Sequence, residues 1–197
     1  MSNDIPLLLR MSFVVYWTDM FALNQRIFQF IYAAGHHNAF WDVLAIFFAE
    51  WLPYLLVIAF FVLVYYQKGW RRKVYFFCEA ALAIILARGI VTEVIRYFYH
   101  EPRPFSFYSF TPLFNEAGWS FPSAHAAWFF ALALTIWFTN RKWGWWFFAL
   151  ATLMELARIY AGVHWPMDVV GGAAVGLLCA WFVHWLLRGS RKRLDGA

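Results

Sequence analysis

Charged residues are scarce in this chain of 197 residues, where they make up 14% of the sequence. A soluble globular domain is nearer about a quarter charged and about half apolar, whereas this chain is 63% hydrophobic and 23% aromatic. Together with a mean hydropathy of +0.56, this composition argues against a soluble enzyme and against a disordered chain. We therefore predict an integral membrane protein.

Cysteine is also scarce, and the two cysteines, Cys78 and Cys179, both lie inside apolar runs. This excludes a disulfide scaffold, and we predict two buried thiols. The net charge of +5 does not indicate a nucleic-acid partner, because the basic residues form short runs between apolar segments.

Apolar runs close to the roughly 20 residues that a spanning helix needs recur along the chain. They predict an all-α integral membrane bundle with five core helices at residues 43–66, 74–97, 122–139, 143–160 and 166–187. Residues 21–34 mix polar and apolar side chains, so we expect an amphipathic helix in the membrane interface. The alternative is a sixth span near residues 10–34. We predict a single domain over residues 1–197, with an interfacial segment (1–39), a core bundle (40–187) and a basic cytoplasmic tail (188–197).

The basic residues also predict the orientation of the bundle. Alternation of the chain across the membrane places the basic runs around residues 68–73, 141–142 and 188–193 on one face, which the positive-inside rule assigns to the cytoplasm. A loop around residues 100–121, without helical periodicity, then lies at the outer face. A loop of this length in a compact chain is usually functional.

Three arginines, Arg96, Arg103 and Arg158, fall at that outer face. Arginine stays charged in nearly every setting and presents a planar fork of donors that matches phosphate oxygens. The arrangement favours an anion site. The alternative is that these arginines anchor the helices to lipid headgroups.

Two histidines accompany the arginines. His164 and Asp168 are spaced i, i+4 at a predicted helix start, so the carboxylate could fix the imidazole tautomer and leave the other nitrogen as a nucleophile or base. At the start of the 122–139 helix, free N–H groups and the Ser123 hydroxyl could bind an anion, and His125 could protonate a leaving oxygen. The alternatives are a helix-dipole role for Asp168 and a serine cap beside an interfacial histidine.

A metal site is the other use of such side chains. The outer face offers His100, Glu101, Glu116, His125, His164 and Asp168, without a paired spacing such as HExxH. Three arginines would also repel a divalent cation, so we predict no metal.

Together the three segments resemble the type 2 phosphatidic acid phosphatase (PAP2) superfamily of membrane phosphatases. Its pattern is Lys-x6-Arg-Pro, then Pro-Ser-Gly-His, then Ser-Arg-x5-His-x3-Asp. Here the segments read Arg96-x6-Arg103-Pro104, Pro122-Ser123-Ala124-His125 and Ala157-Arg158-x5-His164-x3-Asp168, within about residues 40–187. All spacings match, but Arg96, Ala124 and Ala157 replace the family's Lys, Gly and Ser.

The resemblance implies a PAP2-like helical bundle and a reaction without a metal or other cofactor. It implies that His164 attacks phosphorus to form a phosphohistidine, that Asp168 orients His164, and that His125 protonates the departing oxygen and then helps water to hydrolyse the intermediate. The implied phosphate-binding residues are Arg96, Arg103, Arg158, Ser123 and Ala124.

The resemblance also implies a lipid phosphate substrate, contact with membrane lipids and no obligate protein partner. The sequence from Tyr99 to Phe105 looks most like bacterial members that dephosphorylate undecaprenyl diphosphate, the carrier lipid of cell-wall synthesis, at the outer leaflet of the plasma membrane. The alternatives are phosphatidylglycerol phosphate, phosphatidic acid, a lipid phosphotransferase and a small-molecule transporter. Glu93 and Glu155, each three residues before an arginine, and Glu101 are predicted to support the site.

Overall fold

The computed structural model describes the backbone of residues 7–33 and 39–195, and the side chains of residues 19–33 and 39–189. Within these residues the chain is helical and contains no strand. The α-helices are α1 (Leu7–Ala33), α2 (Ala39–Ile46), α3 (Leu52–Tyr65), α4 (Trp70–Ile84), α5 (Thr92–Phe98), α6 (Pro104–Tyr108), α7 (Ala124–Thr139), α8 (Arg141–Tyr160) and α9 (Pro166–Asp195). Two π-helical turns, Phe47–Trp51 and Ile85–Val91, join α2 to α3 and α4 to α5.

Three continuous helical stretches of the described residues are long and apolar enough to cross a membrane: Ala39–Tyr65, Trp70–Phe98 and Pro166–Gly189. The prediction of an all-α membrane bundle is confirmed, and all five predicted core segments are helical. Two of them do not meet the span requirement alone. Helix α7 has only 16 residues, and α8 carries basic residues at its start and both an acid and an arginine near its end.

Helix α1 begins well before the amphipathic segment predicted at residues 21–34. Among its described side chains, those of Asn24 and Phe28 are buried. Oδ1 of Asn24 accepts a hydrogen bond from the backbone N–H of Met167 at 3.0 Å, and the rings of Phe28 and Trp165 lie 5.0 Å apart between centroids. Helix α1 therefore packs against the turn that connects α8 to α9.

Helix α7 lies at the centre of the bundle, packed on α4, α8 and α9. Small residues make its contact with α9, because Ala127 and Ala131 face Gly176. A Cβ on Gly176 would lie 2.5 Å from the carbonyl oxygen of Ala127 and 2.9 Å from the backbone nitrogen of Ala131. The two helices can approach this closely only because the position has no side chain.

The prediction of two buried thiols is wrong for Cys78. Both cysteines are free, but Cys78 is exposed on α4, whereas Cys179 is buried on α9. The neighbouring Phe77 is also 43% exposed, so the described residues leave much of this face of α4 uncovered. In a membrane protein an apolar run does not distinguish a lipid-facing position from a protein-facing one.

The loop between α5 and α7 folds back over the turn between α8 and α9. The backbone N–H of Leu113 donates to the carbonyl oxygen of Ala161 at 3.2 Å, and Nε1 of Trp165 donates to the carbonyl oxygen of Pro102 at 2.9 Å. The loop contains the five-residue helix α6, which the sequence pattern does not predict. These contacts hold the loop against the ends of the helices.

Candidate active site

His164 lies in the turn between α8 and α9 and is fully buried. Its Nδ1 faces Oδ2 of Asp168, in the first turn of α9, at 3.3 Å. The same Oδ2 accepts hydrogen bonds from the backbone N–H of Trp165 at 2.7 Å and from the Ser120 hydroxyl at 2.5 Å. The carboxylate is thus fixed by its neighbours and in turn orients the imidazole.

The other ring nitrogen of His164 faces an arginine. Nη1 of Arg103 lies 3.3 Å from Nε2, and a guanidinium group can only donate hydrogen bonds. In the neutral imidazole this contact requires a lone pair at Nε2 and a proton at Nδ1, where Asp168 accepts it. Nε2 is therefore the nitrogen available for nucleophilic attack.

Arg103 ties the loop to this histidine. It is 3% exposed, and its guanidinium donates to the carbonyl oxygens of Val163 and Gly118 at 2.9 Å and of Ala117 at 3.1 Å. A lysine ammonium, which lacks the planar fork, could not satisfy these partners together.

Arg158 and Arg96 reach the site from α8 and α5. Arg158 donates to the carbonyl oxygen of Ala49, in the first π-helical turn, at 3.2 Å. Arg96 donates to the carbonyl oxygen of Pro122 at 3.0 Å. The Nε of each arginine is buried without a hydrogen-bond partner among the described residues, which leaves two charged donors for an anion.

Glu116, from the loop, occupies the centre of the cluster. Its Oε2 contacts Nη2 of Arg158 and lies 3.3 Å from Nη1 of Arg103 and 3.7 Å from Nε2 of His164. Its Oε1 lies 3.7 Å from Nδ1 of His125. Two imidazoles and two guanidinium groups from separate elements therefore surround one carboxylate.

Helix α7 begins at Ala124, directly after Ser123. The Ser123 hydroxyl accepts a hydrogen bond from the N–H of Ala126 at 3.2 Å and donates to Oε2 of Glu155 at 3.0 Å. This is the capping arrangement left open as an alternative, and it engages the hydroxyl within the protein. A phosphate contact at this helix start would instead use backbone N–H groups, such as that of Ala124.

Glu93 and Glu155, two of the predicted supporting acids, contact different partners. Glu93 lies 4.0 Å from Arg96 but contacts Arg88 more closely, across the end of the second π-helical turn. Glu155 accepts its hydrogen bond from Ser123. Glu93 thus shares its charge between two arginines, and Glu155 holds the start of α7.

Glu101, the third predicted supporting acid, contacts the loop. A hydrogen bond from the Tyr99 hydroxyl to Glu101, together with partial burial, raises the pKa of Tyr99 to about 12. The backbone carbonyl oxygen of Glu101 accepts a hydrogen bond from the N–H of Ser120 at 2.9 Å. Among the described residues, Glu101 forms no hydrogen bond or ion pair with the arginines or histidines of the cluster.

The sequence pattern does not identify Ser120, and it points to Glu116 only as one of several candidate metal ligands. Neither residue shares a helical spacing with another site residue, because both lie in the loop. Only the three-dimensional path of that loop brings them to His164 and Asp168. Among the described residues, no three His, Cys, Asp or Glu side chains form a group that could hold a metal ion.

The electrostatics of the cluster are dominated by Glu116 and its partners. Burial favours the neutral form of the Glu116 carboxyl, but His164, Arg158 and Arg103 hold its pKa well below the usual range. Burial lowers the pKa of His164, but the carboxylates of Asp168 and Glu116, beside its two ring nitrogens, outweigh this effect, so the pKa is raised overall. An anion at the centre of the cluster is therefore strongly favoured.

An apolar groove of about 920 Å³ adjoins the cluster. Glu116, His125 and Arg158 line its polar end. Its remaining walls come largely from α3 and α7 and include Pro53, Tyr54, Val57, Ile58, Trp128 and Phe129. The arrangement suits a molecule with an anionic head and an apolar chain.

The chain is similar to known proteins along most of its length. It is 30% identical to the bacitracin transport permease protein BcrC of Bacillus licheniformis, over 83% of this chain and 80% of the relative. It is also 30% identical to the undecaprenyl-diphosphatase BcrC of Bacillus subtilis (strain 168), over 79% of this chain and 80% of the relative.

A solved structure shares the fold. The crystal structure of Aquifex aeolicus LpxE is 28% identical and superposes with a TM-score of 0.68, over 82% of this chain and 94% of that one. Residues 77–192, which contain all three motif segments, match the sequence pattern of the PAP2 superfamily. With this match and the clustered histidines and arginines, the chain belongs to the PAP2 superfamily.

Proposed function

We propose that this protein is a lipid phosphatase that removes a phosphate from a polyprenyl diphosphate, with undecaprenyl diphosphate as its substrate. The observation that carries the proposal is the group of two imidazoles and two guanidinium groups around a single anionic group, beside an apolar groove. The cluster suits a terminal phosphate, and the groove suits the apolar chain attached to it. The name of the Bacillus subtilis relative supports this substrate.

In the proposed reaction, Nε2 of His164 attacks the terminal phosphorus, and the bond from this phosphorus to the oxygen that bridges the two phosphates breaks, with the lipid monophosphate as the leaving group. Asp168 holds the Nδ1 proton and stabilises the charge that develops on the imidazole. His125 protonates the leaving oxygen and then accepts a proton from the water that cleaves the phosphorus–nitrogen bond. Inorganic phosphate and the lipid monophosphate are released, so the bond that is hydrolysed is the phosphoanhydride bond of a diphosphoric monoester.

The three arginines stabilise the transferring phosphoryl group in this scheme. Charge spreads over its equatorial oxygens in the transition state, so fixed donors there lower the barrier. Arg103 and Arg158 are held rigidly by backbone carbonyl oxygens, and Arg96 is held by Pro122. Such preorganised charge allows a reaction without a metal.

We place the site at the outer face of a bacterial plasma membrane, with the C-terminus in the cytoplasm. The basic runs at the opposite ends of the helices support this orientation. A substrate phosphate at headgroup level would then reach the cluster without leaving the membrane surface.

A transporter would need its intramembrane charges to line one path. Arg88 instead pairs with Glu93, and Glu155 is hydrogen-bonded by Ser123. These local contacts favour the phosphatase over the transporter. They therefore also count against a transport role for this chain such as the one in the name of the Bacillus licheniformis relative.

Phosphate release by the purified protein in detergent tests the proposal. We expect the highest kcat/KM with undecaprenyl diphosphate, lower values with undecaprenyl phosphate, phosphatidylglycerol phosphate and phosphatidic acid, and undiminished activity in a chelator. The His164→Asn variant should lose turnover, whereas His100→Asn, at an exposed loop histidine whose ring contacts that of Trp119, should keep it.

An absence of release from every lipid phosphate would contradict the proposal, and complete loss of activity in the chelator would contradict its metal-free chemistry. Transfer of phosphate to an added acceptor lipid, instead of to water, would indicate the phosphotransferase.

A further inference from the structure

The carboxylate of Glu116 occupies the volume that the substrate phosphate needs. Its Oε2 lies 3.7 Å from Nε2 of His164, and a phosphorus atom poised for attack must approach that nitrogen to roughly 3–3.5 Å. The same oxygen takes donors from Arg103 and Arg158 that the phosphoryl oxygens require. The carboxylate and a reacting phosphate therefore cannot be bound together.

The side chain of Glu116 can leave while the loop stays in place. Arg103 donates to the carbonyl oxygens of Ala117 and Gly118, which fixes the backbone that follows Glu116. The Glu116 side chain is 17% exposed and borders the apolar groove beside the cluster. Rotation of this one side chain is enough to vacate the centre of the cluster.

We infer that the Glu116 carboxylate competes with phosphate for the centre of the cluster. The lipid phosphate displaces the carboxylate, and the carboxylate returns after hydrolysis and displaces inorganic phosphate. This inference rests on the proposed function. A tethered group competes at an effective concentration on the order of millimolar, and the affinity of every anion falls by the fraction of molecules whose site is vacant.

Under this competition, the net affinity of the lipid substrate and that of inorganic phosphate differ. The lipid substrate regains affinity by burying its chain in the groove, because the removal of apolar surface from water is favourable. Inorganic phosphate has no apolar chain, so it regains no affinity. The competition lowers both affinities by the same factor, but only the lipid offsets this loss through its chain. The carboxylate also keeps the arginine charges paired between turnovers.

Binding of inorganic phosphate to the purified full-length protein, by calorimetry without lipid substrate, tests the inference. Glu116→Gln should bind phosphate at least about tenfold more tightly than wild type, and phosphate should inhibit its turnover at correspondingly lower concentration. Glu116→Asp keeps the charge but shortens the side chain by one methylene. It should also bind phosphate more tightly than wild type, because the shorter side chain cannot make all four contacts.

The matched control is Glu101→Gln, which removes a carboxylate charge from the same loop outside the cluster. It should bind phosphate as wild type does, within about twofold. If it gains as much affinity as Glu116→Gln, general charge and not direct competition is responsible, and the inference falls.

Phosphate binding no tighter in Glu116→Gln and Glu116→Asp than in wild type would overturn the inference. A loss of kcat in Glu116→Gln without tighter phosphate binding would overturn it too, and would make Glu116 a positioning residue for His125. Because the binding measurement requires no turnover, tighter phosphate binding in a protein that hydrolyses no lipid would contradict only the proposed function.

Discussion

The Ser120 hydroxyl donates to the oxygen of Asp168 that faces His164. Ser120 and Asp168 are both buried, so bulk solvent does not reach this hydrogen bond. Ser120 is therefore a positioning residue, which acts on His164 through Asp168.

Ser120→Ala should lower kcat by roughly 10- to 100-fold with little change in KM, because a misplaced nucleophile slows the chemical step more than binding. Steady-state kinetics with the lipid substrate measure the two parameters separately. Ser106→Ala, at an exposed serine of the same loop, is the control. The role assigned to Ser120 is wrong if Ser120→Ala keeps kcat within about twofold of wild type, or if Ser120→Thr, which retains the hydroxyl, recovers none of the loss.

The motif residues could be placed on one face of the membrane from the sequence, but their contacts could not. The spacing of His164 and Asp168 predicts their proximity because only three residues separate them, at a predicted helix start. Glu116 and Ser120 reach the same cluster only through the folded loop. Ala157, which replaces the family's serine, packs in an apolar cluster with Ala45 and Ala49, a contact between distant segments that no local pattern encodes.

At the scale of the elements, the distance between the two histidines depends on how α7 packs on α9. His125 lies at the start of α7, and His164 lies just before the start of α9. Gly176 permits the close approach of the two helices. It therefore affects the distance between the two histidines without contacting either of them.

Gly176→Ala should lower thermal stability, because forcing a methyl group into this contact costs about 1–3 kcal/mol, and it should lower kcat because the helices separate. Thermal unfolding in detergent and phosphate release measure the two effects. Gly189→Ala, in the same helix but with no atom within 4 Å of the added Cβ, is the control. Equal stability and activity in the two variants would contradict this account of the α7–α9 contact.

Hydropathy predicts the helices of the bundle better than it predicts their boundaries. The two π-helical turns interrupt the first two predicted apolar helices, and hydropathy alone does not indicate either turn. The first of them supplies the carbonyl oxygen of Ala49 to Arg158, so a local departure from α-helical geometry contributes directly to the site.

At the scale of the whole molecule, composition predicts a membrane bundle because the chain has too few charged residues to form the polar surface of a soluble protein. It does not resolve lipid-facing from buried positions, as the exposed Cys78 shows. It also does not predict how α1 packs, because the burial of Asn24 depends on a hydrogen bond from the start of α9. The fold class follows from the sequence, whereas the assembly of the site follows from contacts between distant helices and a loop.

We propose that the bundle brings His164 to a bound lipid phosphate as its nucleophile. The most direct measurement is an alkaline rapid quench of the protein with undecaprenyl diphosphate radiolabelled in its terminal phosphate, followed by peptide mapping. We expect label on His164 in wild type and in His100→Asn, and none in His164→Asn. Label on another residue, or hydrolysis by His164→Asn at the wild-type rate, would contradict the account.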